Sequence, residues 1–239
     1  MKKLLSLCRA AVDKYNMIDE GDRIAVGVSG GKDSVALLTA LARLREFYPK
    51  SFEIEAVTLD YNFYGEKGDF TEIKALCDSL KVNYTVKSTE LYSVIFEQRK
   101  EKNPCALCAK MRRGILHDTA KELGCNKIAL GHHLDDAAET FMMNLLDGGQ
   151  IGCFSPVSYL SVKDLYLIRP LIFLYEKDIE KTVKNENLPV VKSKCPADRV
   201  TERQRVKELL KNLEKDYPAL REKIIGALQS GDISGWGIE

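Results

Sequence analysis

The spacing of apolar residues changes along the chain, and each change marks an element. Leu4, Leu5, Cys8, Val12 and Ile18 recur at helical intervals and predict an amphipathic opening helix. Asp22–Gly30, "DRIAVGVSG", is a short apolar run ending in glycines, the form of a buried parallel strand. Lys32 to Phe47 then reads as a helix with Val35, Leu38 and Ala42 on one side. Phe52–Asp60 alternates with period two as a second strand, Phe70 to Leu80 is helical, and Asn83–Ser88 is a third strand. Leu107 to Leu123 forms a helix ended by Gly124, and a fourth strand spans Asn126–His133. A helix follows from Leu134 to Leu146, a fifth strand lies in Leu165–Leu171, and the remainder is mostly helical.

Strands alternating with helices predict an α/β fold: an open parallel five-stranded sheet with helices on both faces, plus C-terminal helices. The expected division is an N-terminal helix over 1–21, the sheet domain over 22–175, and a charged helical region over 176–239. There is no internal repeat and no low-complexity segment.

With 239 residues the chain can bury a sizeable core without disulfides. Arg9, Asp13 and Lys14 interrupt the apolar residues of the start, so no signal peptide is expected. No apolar stretch approaches the ~20 residues needed to cross a bilayer. The expectation is therefore a cytoplasmic protein with no membrane partner, whose seven cysteines are mostly reduced. The net charge of +1 hides local imbalance. Arg99–Arg113 holds six Lys/Arg against one Glu, and Lys192–Lys223 holds ten against six Asp/Glu. Such stretches can meet a polyanion or form solvated helix faces.

"VSGGKDS", Val28–Ser34, stands where the first strand meets its helix, the edge at which open parallel sheets bind ligands. Small residues let backbone N–H groups approach an anion, and the following helix offers its positive end. Ser29, Gly30, Gly31, Lys32, Asp33 and Ser34 are therefore candidate nucleotide-binding residues. The string is not a Walker A motif, because Asp33 follows the lysine and Val26 stands at the first glycine. A tight turn would need the glycines but not the Ser, Lys and Asp between them.

"GHHLDDAAET", Gly131–Thr140, should face the same crevice from the end of the fourth strand. Gly131 permits close approach, His132 and His133 can donate to phosphate, and Asp135 and Asp136 can hold Mg²⁺. Two aspartates at a helix start also serve as caps and dipole complements, so one of them can be purely structural.

"CALC" sets Cys105 and Cys108 three residues apart, with no second pair to complete a zinc ribbon. A redox pair lacks the strand expected before it, since "EQRKEKNP" precedes it. The candidates for a third ligand are Cys8, Cys77, Cys125, Cys153 and Cys195, of which Cys8, Cys77 and Cys125 suit packing. Cys195, in the polar "KSKCPADR", does not. Three thiolates without a fourth suit a [4Fe–4S] cluster that keeps one iron open.

"SGGKDS" resembles the PP-loop of the ATP pyrophosphatase superfamily. The ordered set "CALCAKMRRGIL", "GHHLDD", "RPL" (Arg169–Leu171) and Cys195 followed by Arg203–Gln204 resembles the tRNA 2-thiocytidine synthetase (TtcA) family. The resemblance spans roughly Asp22 to Leu210. It implies an adenine nucleotide α-hydrolase-like fold and cluster ligation by Cys105, Cys108 and Cys195. Family members differ in having a longer chain and a C-x-x-C stretch where Cys195 stands alone. Leu59–Phe70, "LDYNFYGEKGDF", also departs from the family's wording.

The activity the resemblance implies is ATP-dependent tRNA thiolation, releasing AMP and pyrophosphate. The C2 oxygen of a pyrimidine, cytidine 32 in the anticodon loop, would be adenylated with Mg²⁺ and then replaced by sulfur. Asp33, Arg112, Asp135 and Asp136 are the candidate catalytic residues, with Arg112 one helical turn beyond Cys108 and able to steady the adenylate. Lys32, Gly131 and His132 belong to the nucleotide site. Implied partners are tRNA, a sulfur donor (a cysteine desulfurase or sulfide) and a second copy of the chain. Two rival readings remain: a PP-loop ligase or amidotransferase with structural zinc, and a nucleotide-binding sensor without turnover.

Overall fold

A computed structural model describes residues 1–99, 104–192, 194–196 and 202–237. Its sheet has strand order β3-β2-β1-β4-β6-β5. Here β1 is Asp22–Gly27, β2 Phe52–Asp60, β3 Asn83–Ser88, β4 Lys127–Ala129, β5 Val157–Leu160 and β6 Leu165–Ile168. All pairings are parallel except that of β5 with β6.

The sheet thus has six strands where the hydrophobic pattern predicts five. The additional strand, β5, is an edge strand that alternates poorly, with Tyr159 exposed beside partly buried neighbours. It turns back through Ser161–Asp164 to pair Val157 with Ile168 and Leu160 with Leu165. β6 ends sooner than expected, because Pro170 has no N–H for a ladder. β4 shortens to three residues, which releases Gly131–His133 into the crevice.

Eight α-helices accompany the sheet among the described residues: α1 Lys2–Lys14, α2 Lys32–Leu44, α3 Thr71–Ser79, α4 Pro104–Glu122, α5 Leu134–Leu146, α6 Glu176–Asn185, α7 Glu202–Leu213 and α8 Leu220–Ser230. The period-two alternation of the central strands decides which face each residue serves. Ile24, Val26, Ile54 and Ala56 face the larger core, which α1, α2 and α3 help to cover. Ala25, Val57 and Ile128 point the other way, onto Leu116 and Ala120 of α4.

α2 is apolar nearly all round, and Ser34 to Ala42 are buried without interruption. That pattern belongs to a helix packed on several sides. Its outer side is covered by α1 and α6, while α7 and α8 pack on α5. The loop preceding α2 is therefore set on a helix that cannot shift without opening the core. Among the described residues, no helix is long and apolar enough to cross a membrane.

Candidate active site

β1 lies where the strand order reverses, with β2 on one side and β4 on the other. The crevice opened by that reversal receives the loop after β1 and the loop after β4. Serines brace the first loop internally. The Ser29 N–H donates to Ser34 Oγ at 3.2 Å, and the Ser34 hydroxyl donates to the Gly31 carbonyl at 2.8 Å. Gly30 has φ +82°, and a Cβ there would stand 2.9 Å from Cβ of Val191. Glycine is thus required for both conformation and space. No side chain caps the start of α2 at Gly31, so its positive end remains available to an anion.

The second loop touches the first. A Cβ on Gly131 would lie 3.1 Å from the carbonyl group of Asp33 and 3.2 Å from the Ser34 nitrogen. His133, buried at the start of α5, stands among three carboxylates. Its Nε2 is 3.4 Å from Asp136 and 3.8 Å from Asp33, and its Nδ1 is 3.6 Å from Asp135. Asp33 Oδ1 is itself buried without a hydrogen-bond partner.

The two adjacent aspartates do different things. Asp136 accepts the His133 N–H at 3.0 Å and pairs with Arg203 at 3.1 Å. Asp135, on the Nδ1 side of His133, also accepts the Glu176 N–H at the start of α6 at 2.7 Å and pairs with buried Arg221 of α8 at 3.1 Å. His132 packs against Phe154 with ring centroids 5.0 Å apart, and burial pushes its pKa down to about 4. Arg169 lies over the same ring at 4.9 Å and is buried.

Lys32 is held by carboxylates. Its Nζ donates to Asp33 at 3.1 Å and to Glu176 at 2.9 Å, and Glu176 also accepts from Lys207. Burial alone would raise the Glu176 carboxyl, but its bonds to Lys207 and Lys32 hold it at about 2. The hydrophobic pattern gives no sign of Glu176, which reads as one more charge on an amphipathic helix.

A cavity of about 340 Å³ opens beside the first loop. Ser29, Gly31, Cys108, Arg112 and Cys195 all line it. Arg112 lies beside Tyr61, whose phenol is raised by burial against the opposing charge of Arg112. Burial likewise raises the Cys108 thiol; Arg112 opposes that rise, while Cys195 and Cys105 add to it. Cys105 is exposed one turn before Cys108. Among the described residues no three His, Cys, Asp or Glu side chains stand close enough to hold a metal ion. The donor set does fit a group ligated by sulfur from two segments, since Cys108 and Cys195 reach one cavity from α4 and from the stretch after α6. Lys100, Lys102 and Arg199 of the basic stretches lie outside the described residues.

A family model for the PP-loop domain matches residues 4–213. The tRNA-cytidine(32) 2-sulfurtransferase of Syntrophotalea carbinolica is 39% identical over 230 residues, covering 95% of this chain and 88% of that protein. Its namesake from Geobacter sulfurreducens is 37% identical over 230 residues, covering 95% and 89%. The chain belongs to this PP-loop family of tRNA-cytidine(32) 2-sulfurtransferases. In fold it is also similar to the U34-tRNA thiolase NcsA from Methanococcus maripaludis, solved with its [4Fe-4S] cluster. That likeness has a TM-score of 0.75 at 24% identity, over 92% of this chain and 75% of that one.

Proposed function

We propose that this protein uses ATP to replace the C2 oxygen of cytidine 32 in the anticodon loop of tRNA with sulfur. The observation that carries the reading is the shared cavity: the anion-binding loop, Arg112 and two thiols all line it. A ligase would use the thiols only to hold structural zinc, and would have no need to turn them into the cavity beside its anion-binding loop.

The PP-loop amides, the start of α2 and Lys32 bind the ATP phosphates, with the lysine exchanging a carboxylate for phosphate. The C2 oxygen attacks the α-phosphorus, the bond to the β-phosphate oxygen breaks, and pyrophosphate leaves. Asp33 and Asp136, 3.8 and 3.4 Å from His133 Nε2, would be the groups for Mg²⁺ or for a proton. Asp135 positions this set by tying α5 to α6 and α8. Arg112, beside Cys108 and Tyr61, steadies the adenylate's negative phosphate. Cys105, Cys108 and Cys195 would hold a [4Fe–4S] cluster, which would supply the chemistry of sulfur delivery. Addition of sulfide at C2 and loss of AMP leave the thiolated base, with atoms and charge balanced by release of a proton.

The reading includes a cytoplasmic location, a cysteine desulfurase or sulfide as sulfur donor, and pairing of two chains. It also treats 22–175 as the ATP-binding unit and 176–239 as the helical region that brings Cys195. Nucleoside mass spectrometry of tRNA from a deletion strain tests it. Loss of 2-thiocytidine, restored by the wild-type chain, is the expected result; unchanged 2-thiocytidine overturns the proposal.

A further inference from the structure

Leu59–Phe70, the stretch that departs from the family's wording, builds a wall of the cavity with an unusual surface. Tyr61 and Phe63 lie 5.3 Å apart, Phe63 and Tyr92 5.7 Å, and Tyr64 and Tyr92 4.8 Å. Tyr92 stacks on Phe96 at 5.5 Å and 29°. Tyr61, Phe63, Tyr92 and Phe96 all line the cavity that holds Cys108, Arg112 and Cys195. Tyr92 and Phe96 come from a separate segment after β3, which carries a π-helical turn over Ser93–Gln98.

A satellite apolar cluster under a loop would bury these rings, yet Tyr64 at its edge is 59% exposed. Its backbone is also in the left-handed region, with φ +60°, as is that of Asn62 at φ +49°. A bulky residue at positive φ is a genuine outlier, and such strain persists only where surroundings impose it. Here they do. Buried Asp60 accepts the N–H groups of Asn62 at 3.1 Å and Gly68 at 3.0 Å, while the Asn62 amide donates to Ser88 and Thr89. Glu66 is clasped to Lys194 at 3.0 Å, which joins this loop to the segment carrying Cys195. The fold holds an aromatic ring outward beside the cavity instead of hiding it.

We propose that the shelf of Tyr61, Phe63, Tyr64, Tyr92 and Phe96 stacks the unpaired pyrimidine of an RNA loop and holds it over the cavity. This deepens the function proposed above and rests on it. Aromatic faces accept any splayed-out base, and proteins that read single-stranded RNA use them in this way. The cavity of about 340 Å³ lies near the lower end of the range of about 300–1,000 Å³ for small-ligand sites, room for a nucleoside but not for a duplex. Lys192, also in its lining, suits a flanking phosphate. A base resting here would share the cavity with Ser29, Gly31 and the thiols of Cys108 and Cys195.

The test uses an anticodon stem-loop RNA carrying a fluorescent cytidine analogue at the target position. The wild-type protein is expected to quench the analogue on binding. Tyr64→Leu should lose the quenching and raise KM for RNA on the order of tenfold or more. ATP affinity should hold, and Tyr64→Trp should restore both signals. Tyr92→Leu, on the adjoining ring, provides a second arm with the same expectation. Unchanged quenching and KM in both leucine variants would overturn the shelf. Weakened ATP binding with unchanged RNA KM would overturn it too, assigning the rings to adenine. Quenching that depends on Tyr64 in a wild-type protein that inserts no sulfur would support the shelf and remove the function proposed above.

Discussion

Lys32 Nζ lies 2.9 Å from Glu176 Oε1, although the two residues are 144 positions apart in sequence. The pair joins the PP-loop to the first turn of α6, and Lys207 on α7 completes it. The loop after β1 is thus held by helices from the last third of the chain.

Lys32→Ala is expected to keep the fold, since the side chain is partly exposed, while weakening ATP binding by about ten- to a hundredfold. That is the size of one lost charge-assisted hydrogen bond. Pyrophosphate release should fall to background. Calorimetry and a pyrophosphate assay check this, and undiminished release by a folded variant would falsify the assignment.

Glu176 predicts a pH dependence. Its folded pKa is about 2 against an ordinary 4.5, so the unfolded chain binds the proton first as pH falls. Its contribution to stability is complete above about pH 4.5 and disappears as pH drops toward about 2. The stability gap between wild type and Glu176→Gln should accordingly shrink from pH 7 to pH 3 in urea titrations. A gap independent of pH would show that the carboxylate charge is not what the two lysines hold.

Gly131→Ala should disturb both loops, because the added methyl meets the Asp33 carbonyl group at 3.1 Å. Overpacking of this kind costs about 1–3 kcal/mol. For a chain this long each kcal/mol lowers Tm by about 2–4 °C. ATP affinity should fall with it, since the displaced atoms open α2. Calorimetric scans with and without ATP would reveal a separation of the two effects, which would contradict the contact.

The thiols should sort into two groups. Burial raises Cys8 to about 12 and Cys77 and Cys125 to about 11, so these should resist alkylation in the folded protein. Alanine at any of Cys105, Cys108 or Cys195 should strip iron and sulfide from anaerobically prepared protein, because three thiolates leave no spare ligand. Alanine at Cys8, Cys77 or Cys125 should leave both in place. Iron analysis and visible absorbance across the six variants decide it. Zinc without sulfide in the wild type would favour the ligase reading.

Local order in the sequence determined a good deal of this protein. The period-two runs of β1 and β2 and the continuous burial of α2 follow from which residues are apolar, because strand and helix periods are properties of the backbone. The glycine loop, the Gly-His-His turn and the cysteine pair were also legible. Each is a short motif whose chemistry depends on adjacent residues, and each sits at an element end that the pattern marks. β5 was not legible, because an edge strand half in solvent has no clean alternation to read. What only the tertiary structure decided is which side chains meet. Asp135 and Asp136 are neighbours in sequence, yet successive residues on a helix point about 100° apart. One therefore caps α6 and pairs with Arg221, while the other accepts the His133 N–H and pairs with Arg203. Tyr61 and Tyr92 line one cavity, and Lys32 and Glu176 share a bond, through crossovers that bring distant segments to one edge of the sheet. Hydrophobic patterning carries no record of that meeting, since a polar residue at a crevice and one in open solvent look alike along the chain.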